Sequence, residues 1–186
     1  MKASLIAVTL LLGVASAASA QERVVPRAAI EVTADAPNAC LITAAPVASG
    51  RNASFSSGGS SGEMRILQLV DPLTAEVLAA DISLALPVIC NAGHSVVVRA
   101  TRGGLAREGA AAPVAPGFRN QVPYDMAVNW AGATSSQNSA SPGVVIDQPG
   151  AAAGTLQLNI TIPEGGTPLV AGAYSDQVVI ELRVAS

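Results

Sequence analysis

The chain has 186 residues, of which 50% are hydrophobic, only 3% aromatic and 12% charged, with a net charge of −3. So apolar a chain is not intrinsically disordered. Its charge-poor, mildly acidic balance argues against nucleic acid or an anionic membrane as partner.

Residues 1–20, "MKASLIAVTLLLGVASAASA", place Lys2 ahead of an apolar run from Leu5 to Val14 and end in Ala18-Ser19-Ala20. This pattern predicts a secretory signal peptide cleaved before Gln21. The apolar run is too short to span a bilayer comfortably, and no Cys follows it to carry a lipid anchor. Residues 21–39 form an N-terminal extension. Its start, "QERVVPR", contains Pro26, which argues against a central strand. From Ala28 the residues alternate: Ala28, Ile30, Val32 and Ala34 on one side, Ala29, Glu31, Thr33 and Asp35 on the other. That period of two is a strand signal, broken at Pro37.

Residues 40–186 carry the body of the fold. Cys40 and Cys90 are the two cysteines, and an even pair in an exported chain reads as a disulfide. Closing so long a loop restricts the unfolded chain by roughly 4 kcal/mol on the chain-entropy model. Leu41–Val47 is a short apolar piece interrupted by Pro46, and Ser49–Glu63 reads as a Gly/Ser loop with one aromatic, Phe55. "MRILQLV" and "AEVLAA" are predicted strands joined by a turn at Asp71-Pro72. "ISLALPVIC" follows, with Pro87 marking a bulge or an edge. The Asn91-Ala92-Gly93 turn leads to "HSVVVRAT", which predicts a hairpin of these two strands.

Residues 105–120 and 131–153 read as loops, the second with Val144-Val145-Ile146 as a short strand. Between them Val122, Tyr124, Met126, Val128 and Trp130 share one face. "TLQLNITIP" alternates most cleanly, with Leu156, Leu158, Ile160 and Ile162 on one side. The last strand carries Tyr174, Val178, Ile180, Leu182 and Val184 on its buried side. About eight short strands separated by turn signals predict an all-β sandwich.

Chemistry-bearing residues do not gather. His94 is the only His, and a nucleophile–base arrangement would need partners that the sequence does not place beside it. There is no D-x-D or H-E-x-x-H pattern, and "GGLAREG" lacks the G-K-[ST] of a phosphate loop. Two Cys and one His fall short of an ordinary metal site. Asn52 and Asn159 head glycosylation-type triplets, a pattern common by chance. Tyr174 and Asp176, two apart on a strand, would share a face. They read as the structural start of the strand, the ring packing inward and the carboxylate bonding a neighbouring loop, rather than as an acid/base pair. The expectation is a non-enzymatic protein without a cofactor.

Five elements in order resemble the spore coat protein U domain family, which includes the pilins of the archaic chaperone–usher pathway. They are the alternating segment 28–36 before Cys40, the strand ending in Cys90, "PYDMAVNW", "TLQLNITIPEGG" and "AGAYSDQVVIELRV". The last is the most specific; a Phe-Gly after the first Cys is missing, since Phe55 precedes Ser56. The resemblance implies an incomplete immunoglobulin-like β-sandwich completed by a donor strand. It implies export through the periplasm to a surface fimbrium or coat serving adhesion or biofilm, with a periplasmic chaperone, an outer-membrane usher and neighbouring pilin subunits as partners. On that reading Ala28, Ile30, Val32 and Ala34 enter a neighbour's groove. Tyr174, Asp176, Val178, Ile180, Leu182 and Val184 line the acceptor edge. Two alternatives stay open: residues 28–36 are the first strand of their own domain, or the chain is a free-standing secreted sandwich that binds a small molecule, glycan or protein.

Overall fold

The computed structural model describes residues 30–58, 61–109 and 114–185. The signal peptide predicted at 1–20 and the predicted donor residue Ala28 lie outside the described residues. Residues 30–39 form no strand, and Ile30 and Val32 are each 88% exposed. A compact unit begins at Ala36.

Among the described residues there are fourteen strands and no helix. They are β1 (Cys40–Ile42), β2 (Val47–Arg51), β3 (Ala53–Gly58), β4 (Ser61–Ile66), β5 (Ala80–Cys90), β6 (His94–Ala100), β7 (Leu105–Arg107), β8 (Gln121–Val122), β9 (Asp125–Trp130), β10 (Ala133–Asn138), β11 (Val144–Gln148), β12 (Ala152–Ile162), β13 (Tyr174–Ser175) and β14 (Val178–Val184). All named pairs are antiparallel. One large sheet runs β1-β5-β12-β9-β10, with β2 also on β5. A second runs β11-β6-β14. Smaller sheets are β13-β7-β8 and the hairpin β3-β4.

The architecture is the predicted all-β sandwich, built on β5 and β12, which pair along their whole length from Cys90↔Ala152 to Ala80↔Ile162. Every second residue points inward. Ile82, Leu84, Leu86 and Val88 meet Leu156, Leu158, Ile160 and Ile162 in one core with Met126, Val128 and Trp130 of β9 and Val96 and Val98 of β6. Burial of such rows outweighs the low aromatic content, since aliphatic side chains each contribute about 1.5–3 kcal/mol when fully buried. The Cys40–Cys90 disulfide is formed, between residues directly opposite on β1 and β5.

Several expectations are corrected. β5 and β6 are not a hairpin but belong to different sheets. Both edges of β5 are occupied, by β12 on one side and by β1 and β2 on the other, so β6 has no edge left to join. The Asn91 turn instead grips the incoming chain: Asn91 Nδ2 donates to the Pro37 carbonyl at 2.9 Å, and its Oδ1 accepts from Ala39 N at 2.7 Å. The Gly/Ser stretch 49–63 is largely strand, in β2, β3 and β4. Small residues carry little pattern, and pairing rather than propensity places them there. Asn52, at φ 55°, pins the base of that hairpin by donating to the Gln68 and Ala79 carbonyls and accepting from Gln68 N.

The turn at Asp71 is present, with Asp71 Oδ1 accepting from Leu73 N at 2.7 Å. Of the strand expected in "AEVLAA", however, only isolated bridges of Val77, to Val70 and to Gly165, precede β5. The supposed loop after Trp130 contains β10, returned onto β9 by Ala131-Gly132 with φ of 48° and 83°, the left-handed pair that hairpin turns use. Pro87 sits between the segments of β5 paired with β1 and with β2. Its carbonyl accepts from Thr43 N there, and its absent N–H faces the same break.

Candidate functional site

β14 is an edge strand. One side pairs with β6, from Val178↔Ala100 to Val184↔His94. No strand among the described residues pairs with the other side. Two backbone bonds fix which groups face it: Thr101 N donates to the Gln177 carbonyl, and Ala185 N to the Gly93 carbonyl. In an antiparallel pair, alternate residues point to the partner. Odd-numbered residues therefore face β6, and Val178, Ile180, Leu182 and Val184 turn N–H and C=O to the open side. Their side chains are also the ones that face inward. Val96 and Val98 on β6 are fully buried, whereas Val178, Ile180 and Leu182 are only half-buried and Val184 is exposed.

A groove of about 990 Å³ lies beside this edge. Its floor is apolar, with Leu84 and Leu86 of β5 and Leu158, Ile160 and Ile162 of β12. One wall is the run from Tyr174 to Ile180. The facing wall is β4 with Phe55 of β3, and Ile42, Pro46, Leu105 and Tyr124 are also in the lining. Of the predicted acceptor-edge residues, Tyr174, Asp176, Val178 and Ile180 line this groove, and Leu182 and Val184 do not. The sequence reading missed the facing wall, because a hairpin of Ser and Gly shows no alternation apart from Met64 and Ile66.

Tyr174 and Asp176 do not lie on one continuous strand with Val178. Tyr174 and Ser175 pair with β7, and the chain shifts to β6 only from Val178. The break is held by Asp176. Its Oδ1 accepts from Gln177 N at 2.7 Å, Arg102 N at 2.9 Å and Thr101 Oγ1 at 3.2 Å. Its Oδ2 accepts from Gly104 N at 2.9 Å and the Tyr124 hydroxyl at 3.0 Å. The phenol of Tyr124 is pushed far above the ordinary tyrosine value, first by burial, then by the Asp176 charge and the hydrogen bond to it. Tyr174 donates to the Val170 carbonyl at 2.7 Å. It too is raised, chiefly by burial, against a lowering influence of Arg107 and Arg119. A carboxylate saturated by five donors and a phenol held protonated tie strands together; they are not poised to exchange protons.

His94 is buried at the start of β6, directly after the 91–93 turn. Its Nε2 accepts from Trp130 Nε1 at 2.8 Å, while Nδ1 bonds the Ala92 carbonyl at 2.9 Å. Ligand atoms of Cys40, Cys90 and His94 lie within 4.8 Å of one another, but both sulfurs are in the disulfide and both imidazole nitrogens are engaged. Gly58-Gly59-Ser60-Ser61-Gly62 matches the letters of G-x-S-x-G. A nucleophile elbow needs a strand-to-helix turn, and here the segment connects β3 to β4. Ser60 itself lies outside the described residues.

Ile30, Val32 and Ala34 lie in exposed, irregular backbone. No protein-family model, curated protein or solved structure matches this chain.

Proposed function

We propose that this protein is a structural subunit of a surface pilus or coat, exported through the periplasm and polymerised by donor-strand complementation. The observation that carries the reading is the apolar groove beside the unpaired edge of β14. Long, unpaired apolar edges invite a further strand, and strand addition into such an edge is an established mode of protein recognition. The chain carries a fitting candidate. Ala28, Ile30, Val32 and Ala34 repeat every second residue, as do the four free-edge residues Val178, Ile180, Leu182 and Val184. Two extended segments with one rise per residue keep this match over their whole length. Before a second copy arrives, a periplasmic chaperone lends the strand, and an outer-membrane usher directs the exchange; this part rests on the resemblance of motif order to the spore coat protein U domain family.

A second reading is favoured by one observation. The groove has the volume of a small-molecule site and an apolar floor rimmed by polar side chains, as a free-standing secreted sandwich would require. A single experiment separates the two. Under the subunit reading the purified chain forms SDS-resistant ladders, and the Ile30→Asp, Val32→Asp variant stays monomeric while its folded body is retained. A stable monomer of the unaltered chain, with no ladder at high concentration, would overturn the subunit reading.

A further inference from the structure

The inward residues of β5 and β12 floor the groove. Their outward residues, with those of β9 and β10, form the opposite face of the large sheet, and the register sets them in rows. One row runs Ala85–Gln157–Asn129–Thr134 across β5, β12, β9 and β10. The next runs Ser83–Asn159–Ala127–Ser136. Ala85, Gln157 and Ala127 are half-buried and the other five are exposed. Both rows are free of charge. Charges enter only in the row beyond, where they are already engaged: Arg51 donates to Asp81, and Asn138 Nδ2 donates to Asp125 at 3.0 Å. The outer face of β11-β6-β14 differs, since Arg99, Glu181 and Arg183 form an ion-pair network on it.

Among the described residues, the hydrogen bond between side chains of the two rows is the one from Ser83 Oγ to Asn159 Oδ1, at 2.6 Å. It leaves the Asn159 NH₂ group free. Gln157 and Asn129 lie directly opposite one another on β12 and β9, and their carboxamides keep both donors and acceptors open. β12 and β9 are each paired along both edges, so these groups stand on rigid backbone, and a ligand finds them already in place.

We propose that this face binds an extended, uncharged polysaccharide. Charge decides the class of partner. A charged polymer meets no unpaired opposite charge in either row, and an apolar partner would leave the carboxamides covered without hydrogen bonds. Neutral sugars carry hydroxyl groups that both give and accept hydrogen bonds, as the carboxamides and hydroxyls of the face do. Spacing agrees with this partner. Adjacent strands stand about 4.8 Å apart, close to the advance per ring of an extended sugar chain. A chain laid across β5, β12, β9 and β10 thus sets one sugar over each strand, between Gln157 and Asn129 on one side and Ser83 and Asn159 on the other. This goes beyond donor-strand pairing and does not rest on it, because the face and the groove lie on opposite sides of the same strands.

The test immobilises the full chain and follows binding of cello-, manno- and xylo-oligosaccharides by surface plasmon resonance, with oligogalacturonate as the acidic counterpart. At least one neutral oligosaccharide is expected to bind. The Gln157→Ala, Asn129→Ala variant should weaken that binding roughly tenfold, as expected for the loss of two neutral hydrogen bonds, at an unchanged urea midpoint. The isosteric Asn129→Asp, which keeps the shape and removes the donor, should weaken it several-fold. Binding of none of the neutral oligosaccharides would overturn the proposal, as would tighter binding of oligogalacturonate. Neutral binding that neither variant weakens would place the sugar elsewhere, the groove included, and would overturn it too. Each of these results leaves the donor-strand reading standing.

Discussion

Asp176→Ala tests whether the carboxylate is a structural tie. Asp176 accepts five hydrogen bonds, three of them at exposed positions where water competes. The other two, from Gly104 N and the Tyr124 hydroxyl, are part-buried. A hydrogen bond to a charged group contributes about 1.5–3 kcal/mol, and truncation leaves both donors unsatisfied. Counting only these two, the substitution costs about 3–6 kcal/mol, a large share of the roughly 5–15 kcal/mol that holds a domain together. Asp176→Asn keeps one accepting oxygen but turns an NH₂ toward one donor set, so it should fall between. Urea unfolding followed by the fluorescence of Trp130, the single and buried Trp, measures both variants. A loss below about 0.5 kcal/mol for Asp176→Ala, the size of an ordinary surface change, would refute the reasoning.

Three further outcomes are expected. Because the Tyr124 phenol is raised above 10.0, its contribution to stability is fully present below that pH and is lost as pH rises beyond it. The urea midpoint of Tyr124→Phe should therefore decline less above pH 10.0 than that of the unaltered chain; parallel declines would count against it. Removing the disulfide with Cys40→Ser and Cys90→Ser frees a loop of sequence separation 50 and should cost about 4 kcal/mol, read as a fall in urea midpoint; a loss under about 1 kcal/mol would contradict that estimate. At Gly62 an added Cβ would collide with the far end of the Phe55 ring. Gly62→Ala should displace the ring with little change in global stability but weaken binding of a 28–36 peptide. Unchanged affinity would show that Phe55 does not shape the groove.

The faces of the long strands were legible because side-chain direction is a property of each strand alone. Leu156, Leu158, Ile160 and Ile162 alternate in the sequence and are buried in the fold, as are Val122, Tyr124, Met126, Val128 and Trp130. Neighbours were not legible. The turn at 91–93 looked like that of a hairpin, yet competition for the edges of β5 sends β6 to another sheet. The hairpin β3-β4 was hidden because Ser and Gly have no face preference, and its place is decided by pairing and by the clamp at Asn52. The terminal segment read as one strand because alternation continues through Asp176, although the carboxylate marks the point where the chain changes partner.

By itself, the sequence determined the all-β class, the inward row of each long strand, the disulfide pair and a period-two segment before the body of the fold. Only the tertiary structure decided that β14 keeps one edge unpaired, that β4 stands across an apolar groove from it, and that Asp176 joins the strands at its start. The physical reason is that alternation records which side of a strand avoids water. Which strand lies beside another depends on competition among all edges at once, and no single segment encodes its outcome.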